Sequence, residues 1–269
     1  MLRVSERQWR SLGLAVALAL AAELAGCADD SGPPEADLGA GDLAPDRANR
    51  PDRGSDARRD RAADGFQPLP GLGALAGECG VLDDAEWSST SPFLFRNAID
   101  FGSAVFDAAK LSPGGQAILA VGNLNSGSLH SEIFAYEVLY RCELAKLLKT
   151  EKTVEYTNPN GKRTDLLTEI DGRPIGVSVT RAVHYPKTAP YTEAEATTLL
   201  ESKLGDLPLS RANAKPPDTW SRSILSVVAY DAQHADAVQS AWAKLGAALK
   251  GDSILVLTVT DGEDGFIYP

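Results

Sequence analysis

The chain lacks the close cysteine and histidine pairs that hold zinc. Its three cysteines and three histidines are scattered over 269 residues, and no spacing among them suits that metal. It lacks a Gly-x-Ser-x-Gly elbow, which removes the usual setting of a serine hydrolase nucleophile. Gly122-Asn-Leu-Asn-Ser-Gly127 has the glycines of a phosphate-cradling loop but not the Gly-Lys-Ser/Thr ending, so it reads as a connection. Long apolar runs are absent too: Leu12 to Ala22 is too short to span a bilayer as a helix. Positive charge is the last shortage. Against 26 Lys and Arg stand 37 Asp and Glu, a net charge of −11; residues 66–269 alone carry 17 against 25, a balance of −8. Bulk electrostatic binding to nucleic acid prefers the opposite sign, although a small local basic cleft remains compatible with it.

What is present begins with an address. Arg3, Arg7 and Arg10 precede the apolar run, which ends in Leu24-Ala25-Gly26-Cys27. That tetrapeptide resembles a bacterial lipobox. The resemblance implies a signal peptide over 1–26, lipid on the Cys27 thiol, and a protein anchored to the cell envelope rather than spanning a membrane. Ala28 in place of Asp implies, by the same analogy, the outer membrane. Residues 27–65 are rich in Asp, Arg, Ala, Gly and Pro with few large apolar residues, the composition of a disordered tether. Residues 66–269 are long enough for a single α/β domain with its own core. In an oxidising compartment Cys79 and Cys142 either bond or remain two buried thiols; a bond would tie the start of the domain to a later helix.

Within the domain, Phe93 to Phe101 reads as a strand, Ser103 to Lys110 as a short helix, and Ser112-Pro113-Gly114-Gly115 as a turn. Ile133, Tyr136, Tyr140, Leu144 and Leu147 recur at helical spacing and predict a helix over 130–149. A strand at 153–156 follows, then a hairpin: strand 164–170, the turn Asp171-Gly172, and a strand over 175–183. In that last strand Ile175, Val177, Val179, Arg181 and Val183 share one face, the other being small and polar, as expected for a cleft wall. Helices are expected over 192–204, capped by Thr192 and stopped by Gly205, and over 231–250; strands over 224–230 and 253–260 complete the order.

The front part of this order, helix, three strands, helix, strand, resembles the core of the restriction-endonuclease-like PD-(D/E)xK superfamily over about 130–230, a mixed sheet flanked by helices that a further helix and strand extend to about 260. The resemblance implies Asp165 as the strand-start carboxylate and Glu132 (or Glu137) as the helix carboxylate, together holding Mg²⁺. Where the superfamily has (D/E)-x-K, this chain has Ser178-Val179-Thr180, which supplies neither charge. Glu169 could replace the carboxylate, and Arg181 or Lys149 the cation, although a regular strand turns Arg181 to the face opposite Thr180. The chain is also similar to a family with no assigned activity through Ser131-Glu132, Lys149-Thr150-Glu151, Thr164-Asp165 and Gly176 to Ala182.

Plainer roles compete for each residue. Glu137 can pair with Arg141 one helical turn on. Glu132 can sit at the positive end of its helix, and Asp165 can pair with Lys162 or Arg163. Glu151 and Glu155 read as solvated, His184 as structural, and Asp261 to Gly265 as a polar turn. Two functions therefore stand as expectations. The degenerate motif and acidic balance favour a lipid-anchored binding module for a protein, glycan or small ligand. The alternative is a Mg²⁺-dependent phosphodiesterase or nuclease using Asp165 with Glu132 or Glu169, and Thr180 and Arg181 beside them.

Overall fold

The near-continuous apolar runs at Arg222–Ala229 and Ile254–Asp261 lie at the centre of a sheet because both of their faces are covered. The computed structural model describes residues 66–187 and 189–269. The signal segment, Cys27 and the tether expected up to residue 65 lie outside the described residues. In chain order the strands are β1 (Phe66–Leu69), β2 (Gly73–Gly77), β3 (Phe93–Asp100), β4 (Lys146–Thr150), β5 (Leu166–Ile170), β6 (Arg173–Ala182), β7 (Arg222–Ala229) and β8 (Ile254–Asp261). The helices are α1 (Asp84–Ser88), α2 (Pro113–Val121), α3 (Leu129–Glu143), α4 (Glu193–Asn213), α5 (Ala232–Lys244) and α6 (Ala247–Lys250). None of the described helices is long and apolar enough to cross a membrane.

The strands form one mixed sheet in the order β1-β2-β3-β8-β7-β6-β5-β4. Its centre, β3, β8, β7 and β6, is parallel. Antiparallel pairs extend it on both sides, β1 and β2 beyond β3, β5 and β4 beyond β6. On one face Ile175, Val177 and Val179 of β6, with Ile224, Val228, Ile254 and Val256, pack against Ile133, Phe134 and Val138 of α3. On the other, Leu225, Val227, Leu255 and Leu257 meet Leu200, Leu204 and Leu207 of α4 and Ala235, Val238 and Ala241 of α5. The result is helix, sheet, helix in three layers, and the segment from α3 to β7 runs helix, three antiparallel strands, helix, parallel strand.

Cys79 and Cys142 are bonded across 63 residues of chain. The next residue adds to that tie: the Glu143 carboxylate accepts from the backbone N–H groups of Gly80, Val81 and Leu82 at 2.9, 3.2 and 3.1 Å. The loop after β2 is thus held on the C-terminal end of α3 by a covalent bond and three hydrogen bonds.

Several elements differ from the sequence expectation. The helix expected to Lys149 ends at Glu143, where Leu144 takes a left-handed conformation (φ 56°) and the chain turns into β4. A short apolar run such as Leu147-Leu148 fits either period, and pairing with β5 decides it. The strand expected at 153–156 is a turn with one bridge, Tyr156 to Ala214. Ser112 to Gly115 is not a turn: Ser112 caps α2 by accepting from the Gly115 N–H, with Pro113 in the first turn. Glycine suits position 115 because a Cβ there would strike the Glu137 carboxylate of the neighbouring helix. The helix expected over 103–110 reduces to a single 3-10 turn, Ala108–Lys110. α4 passes through Gly205 and Pro208 to Asn213, with Leu207 and Ser210 buried beyond the expected stop. The long helix expected over 231–250 is two, parted at Gly246.

Candidate functional site

Asp165 is the last residue before β5, and three segments fix it. Its N–H donates to the Val177 carbonyl of β6 at 3.1 Å, and its own carbonyl accepts from the Glu151 N–H just past β4 at 2.8 Å. Its Oδ2 accepts from the Val179 N–H at 2.6 Å and from Ser178 Oγ at 3.3 Å. Among the described residues no hydrogen bond reaches Oδ1. The hairpin thus binds one oxygen of the carboxylate and leaves the other toward a cleft. Asp165 keeps some contact with solvent there, while protein crowds its carboxyl group on most sides. Burial pushes its pKa up to about 6, helped by the Glu151 charge and opposed by the Val179 N–H and the Lys203 ammonium.

Glu132 stands in the first turn of α3 and faces the same cleft. It is buried, 4% exposed. Its Oε1 accepts from Asn123 Nδ2 at 2.5 Å and from Ser128 Oγ at 2.9 Å. Burial first, and the neighbouring charge of Asp165 second, raise its pKa to about 7. Those two hydrogen bonds oppose the rise without cancelling it. Two carboxyl groups from different elements therefore crowd each other where one positive charge would relieve both.

The cleft holds about 330 Å³. Leu124, Asn125, Ser128, Ser131 and Glu132 form one wall; Glu151 and Asp165 the floor side; Val179, Thr180, Arg181 and Val183 of β6 and its continuation the next; Lys203 of α4 completes it. Glu151 is held by accepting from the Leu124 N–H. Lys203 makes no salt bridge among the described residues, although its charge acts on Asp165. Arg181 Nη1 donates to the Ile267 carbonyl at 2.8 Å, so the C-terminal segment steadies the guanidinium at the cleft.

Of the residues singled out in the sequence, Asp165, Glu132, Thr180 and Arg181 meet here. Arg181 reverses one expectation. The apolar face of β6, not its small polar face, carries most of the cleft wall. The small face is small because other elements lie close on it: a Cβ on Gly176 would fall within the Trp220 indole, and Ala182 packs in the core with α4 and α5. Glu169 is not brought to the site. It lies near the other end of β5 and pairs with Lys146 at 2.9 Å. Lys149 pairs with Asp218 at 2.7 Å and Glu137 with Arg141 at 2.7 Å. His184 is bound to Glu195 at 2.6 Å, and the carboxylate of Asp264 accepts from Thr260 within the C-terminal turn. Lys162 and Arg163 do not pair with Asp165; they bind Asp206 and the Pro159 carbonyl.

Sequence reasoning passed over two cleft residues. Glu151 carried a signal, since it ends the Lys-Thr-Glu of the second similarity, whose four segments converge on this cleft. Lys203 carried none, being one charged residue on an amphipathic helix. Among the described residues no three of His, Cys, Asp and Glu are arranged to hold a metal. Two carboxylates satisfy Mg²⁺, which keeps several waters of its own, and the free Oδ1 of Asp165 beside the crowded Glu132 fits that demand.

No family model and no solved structure matches the chain. A curated relative from Dictyostelium discoideum, the AAC-rich mRNA clone AAC4 protein, is 33% identical over 151 residues, which is 54% of this chain and 22% of the relative. The chain therefore spans about a fifth of that protein's length, and its name states no activity or ligand.

Proposed function

We propose that this domain is a divalent-cation-dependent phosphodiesterase built on a restriction-endonuclease-like core. The observation that carries the proposal is the meeting of Glu132, Asp165 and Glu151 with the ammonium of Lys203 in one cleft. The motif that β6 lacks is then made up from outside the strand: Lys203 of α4 stands for the missing lysine and Glu151 for the missing carboxylate. The order of elements from α3 to β7 supports the same reading. Asp165 and Glu132 would hold Mg²⁺ or Mn²⁺, which when bound polarises a phosphoryl oxygen and activates water. Lys203 and Arg181 offset the negative charge of the phosphate, and the Ile267 carbonyl keeps Arg181 aimed. Asn123 and Ser128 hold Glu132 in place. In this reading the lipid anchor at Cys27 presents the domain at the outer membrane.

Ser178-Val179-Thr180 in place of a carboxylate and a lysine on β6 favours a second reading, a binding module that keeps the fold and takes a small ligand or a protein in the cleft. Hydrolysis of bis(4-nitrophenyl) phosphate with Mn²⁺ separates the two. The enzyme reading expects turnover that falls by about a hundredfold or more in Asp165→Asn and by about tenfold in Lys203→Ala, with partial recovery in Lys203→Arg. Wild-type protein that binds Mn²⁺ yet leaves the ester intact would favour the binding module.

A further inference from the structure

Resting on the phosphodiesterase reading, we infer that the substrate is a low-molecular-weight phosphodiester of which the cleft holds no more than one nucleotide or aryl phosphate, and not a nucleic acid chain. The room available is the first observation. About 330 Å³ lies near the lower end of ligand pockets and holds a phosphate with one attached ring or sugar. Leu124, Val179 and Val183 give that ring apolar walls, while the charged residues gather around Asp165.

Charge is the second observation, and it is independent of the first. A protein that grips a nucleic acid chain neutralises a run of phosphates with a track of free lysines and arginines. Here the cations nearest in sequence to the acidic cleft residues are engaged. Lys146 pairs with Glu169, Lys149 with Asp218 and Lys162 with Asp206. Lys152 donates to the Val121 carbonyl and Arg163 to that of Pro159. Among the described residues that line the cleft, only Lys203 and Arg181 are basic, against Glu132, Glu151 and Asp165. The balance of −8 over residues 66–269 opposes a polyanion as a whole, while the two cleft cations suit a single phosphate.

The test compares three esters with the full chain and Mn²⁺: the 4-nitrophenyl ester of thymidine 5′-phosphate, a single-stranded oligonucleotide and its duplex. The expected result is turnover of the small ester with kcat/KM at least about tenfold above either oligonucleotide. Its rate should also change less than about twofold between about 50 and about 200 mM salt, since few counterions are released. Faster cleavage of either oligonucleotide, with steep loss of rate as salt rises, would overturn the inference and leave the phosphodiesterase reading standing. No turnover of any of the three would overturn both.

Discussion

At the scale of the residue, the two carboxyl groups of the cleft make a pH-dependent cost. Both pKa values are raised on folding, Glu132 to about 7 and Asp165 to about 6. Below about pH 4 folded and unfolded chains both hold these protons and the pair costs nothing. As pH rises the unfolded chain ionises first, so stability falls until the folded groups ionise too, and above about pH 7 the whole penalty is present. For Glu132 it amounts to roughly 2 to 3 kcal/mol. Glu132→Gln removes it. In denaturant unfolding without divalent cations the variant should exceed the wild type by roughly 2 kcal/mol at about pH 8 and match it at about pH 4. Equal stability at both pH values would mean that Glu132 carries no such strain. Asp165 was legible in the sequence because a carboxylate beside a hairpin strand is conspicuous. Lys203 was not, because only the folding of α4 over the sheet brings it near Asp165.

At the scale of the element, β6 joins the cleft to both helix layers, and its smallest residue marks the tightest contact. Gly176→Val should cost about 1 to 3 kcal/mol by overpacking Trp220, measured as a lower denaturant midpoint. An unchanged midpoint would mean that the indole moves aside freely. The loop after β2 depends instead on α3. Cys142→Ser opens a bridge spanning 63 residues, and the chain-entropy argument sets the loss at about 4 kcal/mol. Glu143→Gln should cost a further 1 to 3 kcal/mol or so, because the loop's three N–H groups then face a weaker acceptor. The hairpin was readable from its alternation and from Asp171-Gly172. β4 was not: its five residues continue the apolar stripe of α3, and the left-handed turn at Leu144 that separates them has no glycine to announce it. β1 and β2 are as short, four and five residues, and the pairing of β2 with β3 is a contact across the chain that no local pattern encodes.

At the scale of the molecule, the sheet is more protected at its parallel centre than at its β4 edge. Amide exchange should be slowest in β7 and β8, each flanked by strands on both sides and by helices on both faces, and fastest among the strands from β4 onward in β4 itself. A β4 as protected as β7 would contradict the strand order. The alternation of helix and strand made an α/β domain legible from residue 130 onward. The cleft needed the fold, because it gathers side chains from α3 and the loop before it, from β6 and α4, and from the connection between β4 and β5. The central claim is that Asp165 and Glu132 hold a divalent cation there. Calorimetric titration of Mn²⁺ into the protein, wild type against Asp165→Asn, tests it most directly. Saturable binding at one site, lost in the variant, is the predicted result; no binding by the wild type, or equal binding by both, would contradict it.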